Sequence, residues 1–177
     1  KGYAQASVSA ICKSAGVSRG AFVHHYPTKL GLMEDVARKL VLDSNRKMGK
    51  VLSAVSQDDD LLRAFIHGAW SEIFSTPIYH AYRELVNASQ SDPELNRHMK
   101  KVNRDMLHLL DKAVEHYFEP KGGGDFKIKD LFLLSRWLLG GISSHNHLID
   151  HPQYIHSQLD LWQRLLRAQI RPKSGAT

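Results

Sequence analysis

Apolar positions recur every three or four residues through most of this chain, and no stretch sustains the alternation of a half-buried strand. The pattern predicts short helices over roughly 8–14 and 19–25, separated by Ala15-Gly16-Val17-Ser18. Ser7 and Ser18 stand where a hydroxyl accepts an otherwise unpaired helix N–H, and Gly16 suits the left-handed turn that ends the first helix. Pro27 stops the second helix and Thr28 caps the third. From Lys29 this longer helix runs to about Val55, with Met33, Val36, Leu40 and Met48 on one face. Gln57-Asp58-Asp59-Asp60 breaks it, and the aspartates favour the N-terminus of a helix over about 61–75. Thr76-Pro77 restarts a helix to about Ser89, and Ser91-Asp92-Pro93-Glu94 opens another that reaches Tyr117. Pro120 with Gly122-Gly123-Gly124 reads as a connector. Two last helices, about 127–149 and 153–170, divide at His151-Pro152. The expectation is an all-α fold without strands: a helix-turn-helix head over 1–48 and a helical bundle over 49–177, bridged by the helix from Lys29.

Charge singles out the head. The chain carries 24 Lys+Arg and 18 Asp+Glu, a net of +6. Residues 1–50 hold nine basic and three acidic side chains, which is the whole of that excess; the other 127 residues carry fifteen of each sign. A basic head on a neutral body points to an anionic partner. The second short helix, Arg19-Gly20-Ala21-Phe22-Val23-His24-His25-Tyr26, has Phe22 as an inward anchor beside small Gly20 and Ala21, which allow close approach to a major groove. Arg19 and His24 reach base edges in that pose. Ser18, Thr28 and Lys29 stand at helix N-termini, where hydroxyls, amides and an ammonium hold phosphates. Phe22, Ile11 and Val17 are expected in the core, and Cys12 as a buried small hydrophobe. His25 is either a packed histidine that fixes the turn or a DNA contact.

The segment Gly2-Tyr3 followed by SVSAICKSAGVSRGAFVHHYPTKLGLMEDV resembles the N-terminal signature of TetR-type transcriptional regulators over about residues 2–40. The resemblance implies a homodimer on a near-palindromic double-stranded operator, most often a repressor, released when a small molecule occupies the C-terminal bundle. It places Ser18, Arg19, Gly20, Ala21 and His24 at DNA-facing positions, and matches His25, Tyr26 and Lys29 to the family's H-F-x-x-K, with Lys29 on a phosphate. With Ser7 and Thr28 at the neighbouring helix starts, these form the expected DNA-binding set. Val23 stands where the family usually has a phosphate-touching Tyr, and Ala6 where it has a capping Thr, which leaves Ser7 to cap. The family's first helix would precede Gly2.

In the body, the segment 131–142 is apolar on nearly every side and must be covered all round. Tyr154, Ile155, Leu159, Trp162, Leu165 and Leu166 add a stripe on the last helix. The resemblance implies that these two helices from each subunit form a four-helix dimer interface; otherwise they complete a monomeric core. The central helices would enclose a cavity for a small apolar or aromatic effector. Its candidate lining is His67, Trp70, Phe74, Tyr79, Tyr82, Arg83, Asn103, Met106, Leu107, Trp137 and His145.

Other chemistries find little support. His145, His147, His151 and His156 are the densest histidine group, but i and i+2 on a helix face different ways, and no HExxH occurs. No GxSxG or P-loop is present, so neither an enzyme nor a cofactor is expected. One cysteine excludes a disulfide framework. No apolar run approaches a membrane span, and a cytoplasmic location is the default. The competing reading is a helical small-molecule-binding protein or adaptor whose head is degenerate, with Val23 as the symptom.

Overall fold

Capping by short polar side chains sets the N-terminal elements. In a computed structural model, which describes residues 2–56, 60–122 and 126–173, Ser7 Oγ accepts the Ala10 amide at 3.2 Å and Ser18 Oγ accepts that of Ala21 at 3.1 Å. They open α1 (Val8–Ala15) and α2 (Arg19–His25). Gly16 ends α1 at φ 67°, where a side chain would cost about 1–2 kcal/mol. Thr28 Oγ1 accepts the Gly31 amide at 3.1 Å at the start of α3 (Lys29–Ser53). Asp60 Oδ1 accepts the Arg63 amide at 3.1 Å and caps α4 (Leu61–Ala69). The rest of the expected break, residues 57–59, lies outside the described residues, as do 123 and 124 of the glycine connector.

The helix expected over 61–75 changes character after Ala69. Trp70–Phe74 form a π turn in which the Ser75 amide reaches the Trp70 carbonyl at 2.9 Å. Pro77 follows with no N–H for the Ile73 carbonyl, which accepts the Thr76 amide at 3.1 Å and the Thr76 hydroxyl at 2.6 Å. Buried Ser143 donates to the Phe74 carbonyl at 2.5 Å, so the irregular turn leaves that group satisfied. Helix α5 (Pro77–Ala88) comes next. Asp92 then caps α6 (Pro93–Tyr117), its Oδ1 accepting the Glu94 and Leu95 amides at 3.1 and 3.0 Å.

Two strands replace what the sequence reads as helix end and connector. β1 (Phe118–Pro120) pairs antiparallel with β2 (Ile170–Pro172), Phe118 opposite Pro172 and Pro120 opposite Ile170. Three-residue strands have no periodicity to detect, and their partners lie at opposite ends of the body. Between them run α7 (Ile128–His145), a 3₁₀ turn over Asn146–Leu148, and α8 (Pro152–Gln169).

The chain forms two compact units that interleave in sequence. Residues 1–43 and 77–105 make the first, and residues 44–76 and 106–177 the second, so α3 and α6 each contribute to both. In the first, Ala37, Tyr82, Leu85, Leu95, Met99 and Val102 are buried together, with Tyr3, Leu30, Met33 and Tyr79 packed against them. In the second, Phe65 meets Phe118 and Phe132 edge-on, at 5.8 and 4.8 Å between ring centroids. Ile66, Leu139, Leu159 and Leu166 are also buried in that unit. Asp60 serves twice there: its second oxygen accepts Gln163 Nε2 at 2.5 Å and the Arg167 guanidinium, pinning the start of α4 to α8.

Two core expectations need correction. Val17, in the turn after left-handed Gly16, is 46% exposed, and Ile11 is only partly buried. Phe22 and Cys12 are buried.

Candidate nucleic-acid interface

Helix α2 buries one residue, Phe22, whose ring lies 6.1 Å from that of Tyr26. Every other side chain from Arg19 to His25 is exposed. The inward anchor therefore turns Arg19, Gly20, Ala21, Val23 and His24 outward. A Cβ added at Gly20 would meet nothing closer than Ser18 Oγ at 3.8 Å. Among the described residues, packing would admit a side chain at that position. His25 is exposed, its ring edge-on to His24 at 5.2 Å, and not packed into the turn.

Lys29 has an internal task that the sequence did not reveal. Its Nζ donates to the Tyr3 carbonyl at 2.7 Å and sits 3.9 Å from the centre of the Tyr3 ring. The ammonium thus ties the 3₁₀ turn Tyr3–Gln5 to the start of α3, with N–H bonds left to donate elsewhere. The Tyr3 hydroxyl donates in turn to Asp92 at 3.4 Å, at the N-terminus of α6. Burial first, then the Asp92 charge, holds that phenol above its ordinary pKa, so it stays a donor.

Behind this edge, α3 and α6 are joined through the carboxylates of Glu34 and Asp105. Glu34 accepts from Arg38 at 2.7 Å, is 3.3 Å from the Lys101 ammonium, and meets His98 Nδ1 in a very short contact; Arg38 also donates to Asp105 at 3.0 Å. The bond from His98, aided by Lys101 and Arg38 and opposed by burial, holds the Glu34 carboxyl at about 2 against an ordinary 4.5. A depressed carboxylate contributes stability above its unfolded pKa and loses it as pH falls through its folded one. Between about pH 4.5 and pH 2, acid titration should therefore destabilise the native protein more steeply than Glu34→Gln. Thermal melts of both at half-unit pH steps check this; parallel curves would refute it.

The effector candidates divide between the two units. Tyr79, Tyr82, Arg83 and Asn103 belong to the first, where Tyr82 is core and Tyr79 packs beside it at 6.2 Å. The second holds the partly buried His67, Met106 and Leu107 with buried Trp70 and Phe74. His67 Nε2 is 2.9 Å from Asp160 Oδ1, which also accepts from Arg63 at 3.0 Å, and its ring stacks on His156 at 6.2 Å. Burial, then Arg63, pushes its pKa down. Trp137 is 59% exposed, beside Leu134 and Leu138 on one outer face of α7. Exposed His145 has its ring nitrogen 2.9 Å from the Gly141 carbonyl in the last turn of α7. Among the described residues no three His, Cys, Asp or Glu side chains gather as a metal site, and no helix is long and apolar enough to cross a membrane.

The helix pair coincides with a known family pattern. The model of the family described as bacterial regulatory proteins, tetR family, matches residues 1–36. The HTH-type transcriptional regulator BetI of Ectopseudomonas mendocina is 32% identical over 147 residues, covering 80% of this chain and 74% of that relative. The chain belongs to the TetR family. Its α1 and α2 are thus the helix-turn-helix of a TetR-type, DNA-binding regulator. The HTH-type transcriptional regulator CymR of Pseudomonas putida is 30% identical over 112 residues, 63% of this chain, and the chain spans about half (55%) of that relative's length. Two solved structures share the fold. A TetR-family regulator from Rhodococcus sp. has TM-score 0.68 at 14% identity, with 93% of this chain and 89% of that one covered. A regulator from Pseudomonas aeruginosa PAO1 has TM-score 0.66 at 22% identity, with 94% and 83% covered.

Proposed function

We propose that this TetR-family protein is a homodimeric, cytoplasmic repressor without enzymatic activity, which leaves a palindromic operator when a small apolar or aromatic molecule binds its body. The exposed strip of α2 carries the reading: Arg19, Gly20, Ala21 and His24 open outward around a single buried anchor. Arg19 and His24 read base edges; Ser7, Ser18, His25, Tyr26, Thr28 and the free N–H bonds of Lys29 hold phosphates.

Dimerisation rests on a face that one chain leaves uncovered. Leu134, Trp137 and Leu138 of α7 and Leu161 and Leu165 of α8 are exposed, while Phe132, Leu139, Leu159 and Leu166 on the same helices are buried. Two such helices supply both an internal core and an external apolar stripe, and a two-fold gives two heads for two half-sites about 34 Å apart. Trp137 belongs to this face in our reading, and the effector contacts reduce to His67, Trp70, Phe74, Met106 and Leu107 around the π turn. Exposed Val23 offers no hydroxyl where a phosphate contact is usual, which favours the degenerate-head adaptor as the second reading.

Fluorescence anisotropy with the promoter fragment of its own gene, at two salt concentrations, separates the two. Arg19→Ala should lose about 1–3 kcal/mol on operator and little on mixed-sequence duplex. Lys29→Ala should weaken both and reduce the salt slope by about 1 for each subunit on the DNA. Because Lys29 also anchors Tyr3, its variant should melt at a lower temperature as well. Equal losses for both variants on both duplexes would sink this division of roles, and no binding by the wild type at low salt would favour the adaptor.

A further inference from the structure

The neutral charge of the body conceals a local excess. Residues 97–104 contain Arg97, Lys100, Lys101 and Arg104 and no carboxylate, and all four are exposed. Lys101 is spent on Glu34. The other three stand at i, i+3 and i+7, which brings them onto one face of α6, and among the described residues none of them forms an ion pair. That face lies opposite Leu95, Met99 and Val102, which are buried. Three long cations held parallel without counter-charge repel one another, an arrangement that an outside anion relieves.

The direction of α6 indicates which anion. Glu34 of α3 meets His98 and Lys101, and Arg38, one turn later, meets Asp105, so α3 and α6 run parallel. Tyr3 joins their starts: its carbonyl holds Lys29 and its hydroxyl holds Asp92. The first turns of α6 therefore lie level with the N-terminus of α3, the end that carries Thr28 and Lys29. Asp92 is occupied by two amides and Tyr3, and the exposed carboxylates near this edge include Glu94 and, beside Gly2, Glu84. From Arg97 to Arg104 the helix rises about 10 Å, the axial reach of roughly three phosphates on one strand at ~3.4 Å each.

We propose that Arg97, Lys100 and Arg104 form a second DNA-backbone contact, gripping duplex that flanks the segment read by α2. This inference rests on the DNA-binding reading above. The contact carries no sequence information; it lengthens the footprint and steepens the salt dependence.

The test compares wild type, Arg97→Gln/Lys100→Gln/Arg104→Gln and a charge-matched control, Lys112→Gln/Lys121→Gln/Lys127→Gln, across a salt series on a mixed-sequence duplex of about 40 bp, roughly four turns. Each released phosphate contact should flatten the slope of log K against log salt by about 0.9, so the α6 variant should lose about 2–3 of slope for each subunit on the DNA, about 5 for the dimer. It should also bind at least about tenfold more weakly at low salt, while the control keeps the wild-type slope. If wild type binds and the α6 variant keeps its slope, or the control loses as much, the contact does not exist. An acidic protein or another anion would then be the occupant of the stripe. If wild type itself fails to bind, it is the DNA-binding reading that falls. Circular dichroism of the α6 variant should match wild type, because all three side chains are exposed.

Discussion

Trp137→Glu is expected to leave the subunit folded and turn the protein into a monomer. The indole is 59% exposed in the single chain, so its replacement removes little from the internal core. It stands among Leu134, Leu138, Leu161 and Leu165, all more than a third exposed, and a monomer has no use for so much open apolar surface on two adjacent helices. An aromatic at the centre of such a patch is worth about 2 kcal/mol or more to association, and a two-fold counts it twice. The dimer dissociation constant should then rise about a thousandfold, since 1.4 kcal/mol is tenfold. A carboxylate forced into that setting adds a desolvation penalty. Sedimentation velocity at micromolar protein, alongside a thermal melt, reads the outcome. A variant that still sediments as a dimer removes this face from the interface, and one that melts far below wild type returns Trp137 to the core.

Phe132→Ala should be the most destabilising single truncation within the second unit. Phe132 is 1% exposed and closes a three-ring cluster, 4.8 Å from Phe65 and 5.1 Å from Phe118. Removing a ring so enclosed loses its transfer free energy and leaves a cavity, at about 3–5 kcal/mol. For a chain of this size that lowers the melting temperature by roughly 6–20 °C. Phe132→Leu, which keeps most of the volume, should lose less than half as much. A drop of only a degree or two for the alanine variant would mean that the cluster collapses onto the gap and that the other two rings carry the packing.

That cluster also marks where reading the sequence stops. Ser7, Ser18, Thr28 and Asp92 accept amides within a few residues of themselves, and the Gly16 N–H donates to carbonyls of the preceding turn, so local sequence is enough to place α1, α2, α3 and α6. Phe118 meets Phe132 and Phe65 because β1 pairs with β2 at the far end of the chain, a partnership with no local signature. The same holds for Ser143, whose hydroxyl completes the π turn from α7. On the candidate interface, the outward set on α2 was legible because one phenylalanine fixes which way a seven-residue helix faces. Lys29 was half legible: its position is local, but its bond to the Tyr3 carbonyl is not. The effector lining is the least legible part, because aromatic spacing cannot tell a wall from a core: Tyr82 is buried and Trp137 is exposed. The arithmetic of a neutral body hid the stripe on α6, because opposite charges cancel in a sum without meeting in space.

The single carboxylate of Glu34 has a genetic consequence. It offers about four lone-pair positions, and three donors from two helices share them. Removing His98 or Lys101 leaves the Glu34 oxygen atoms still engaged by the other donors, whereas Arg38 also reaches a second carboxylate, Asp105 of α6. Substitutions at His98 or Lys101 should each appear nearly silent, and their combined loss should exceed the sum of the parts, while a change at Arg38 should cost more because it also releases Asp105. A variant library would then record two tolerant positions, His98 and Lys101, beside an intolerant glutamate, although all of these side chains make the same joint.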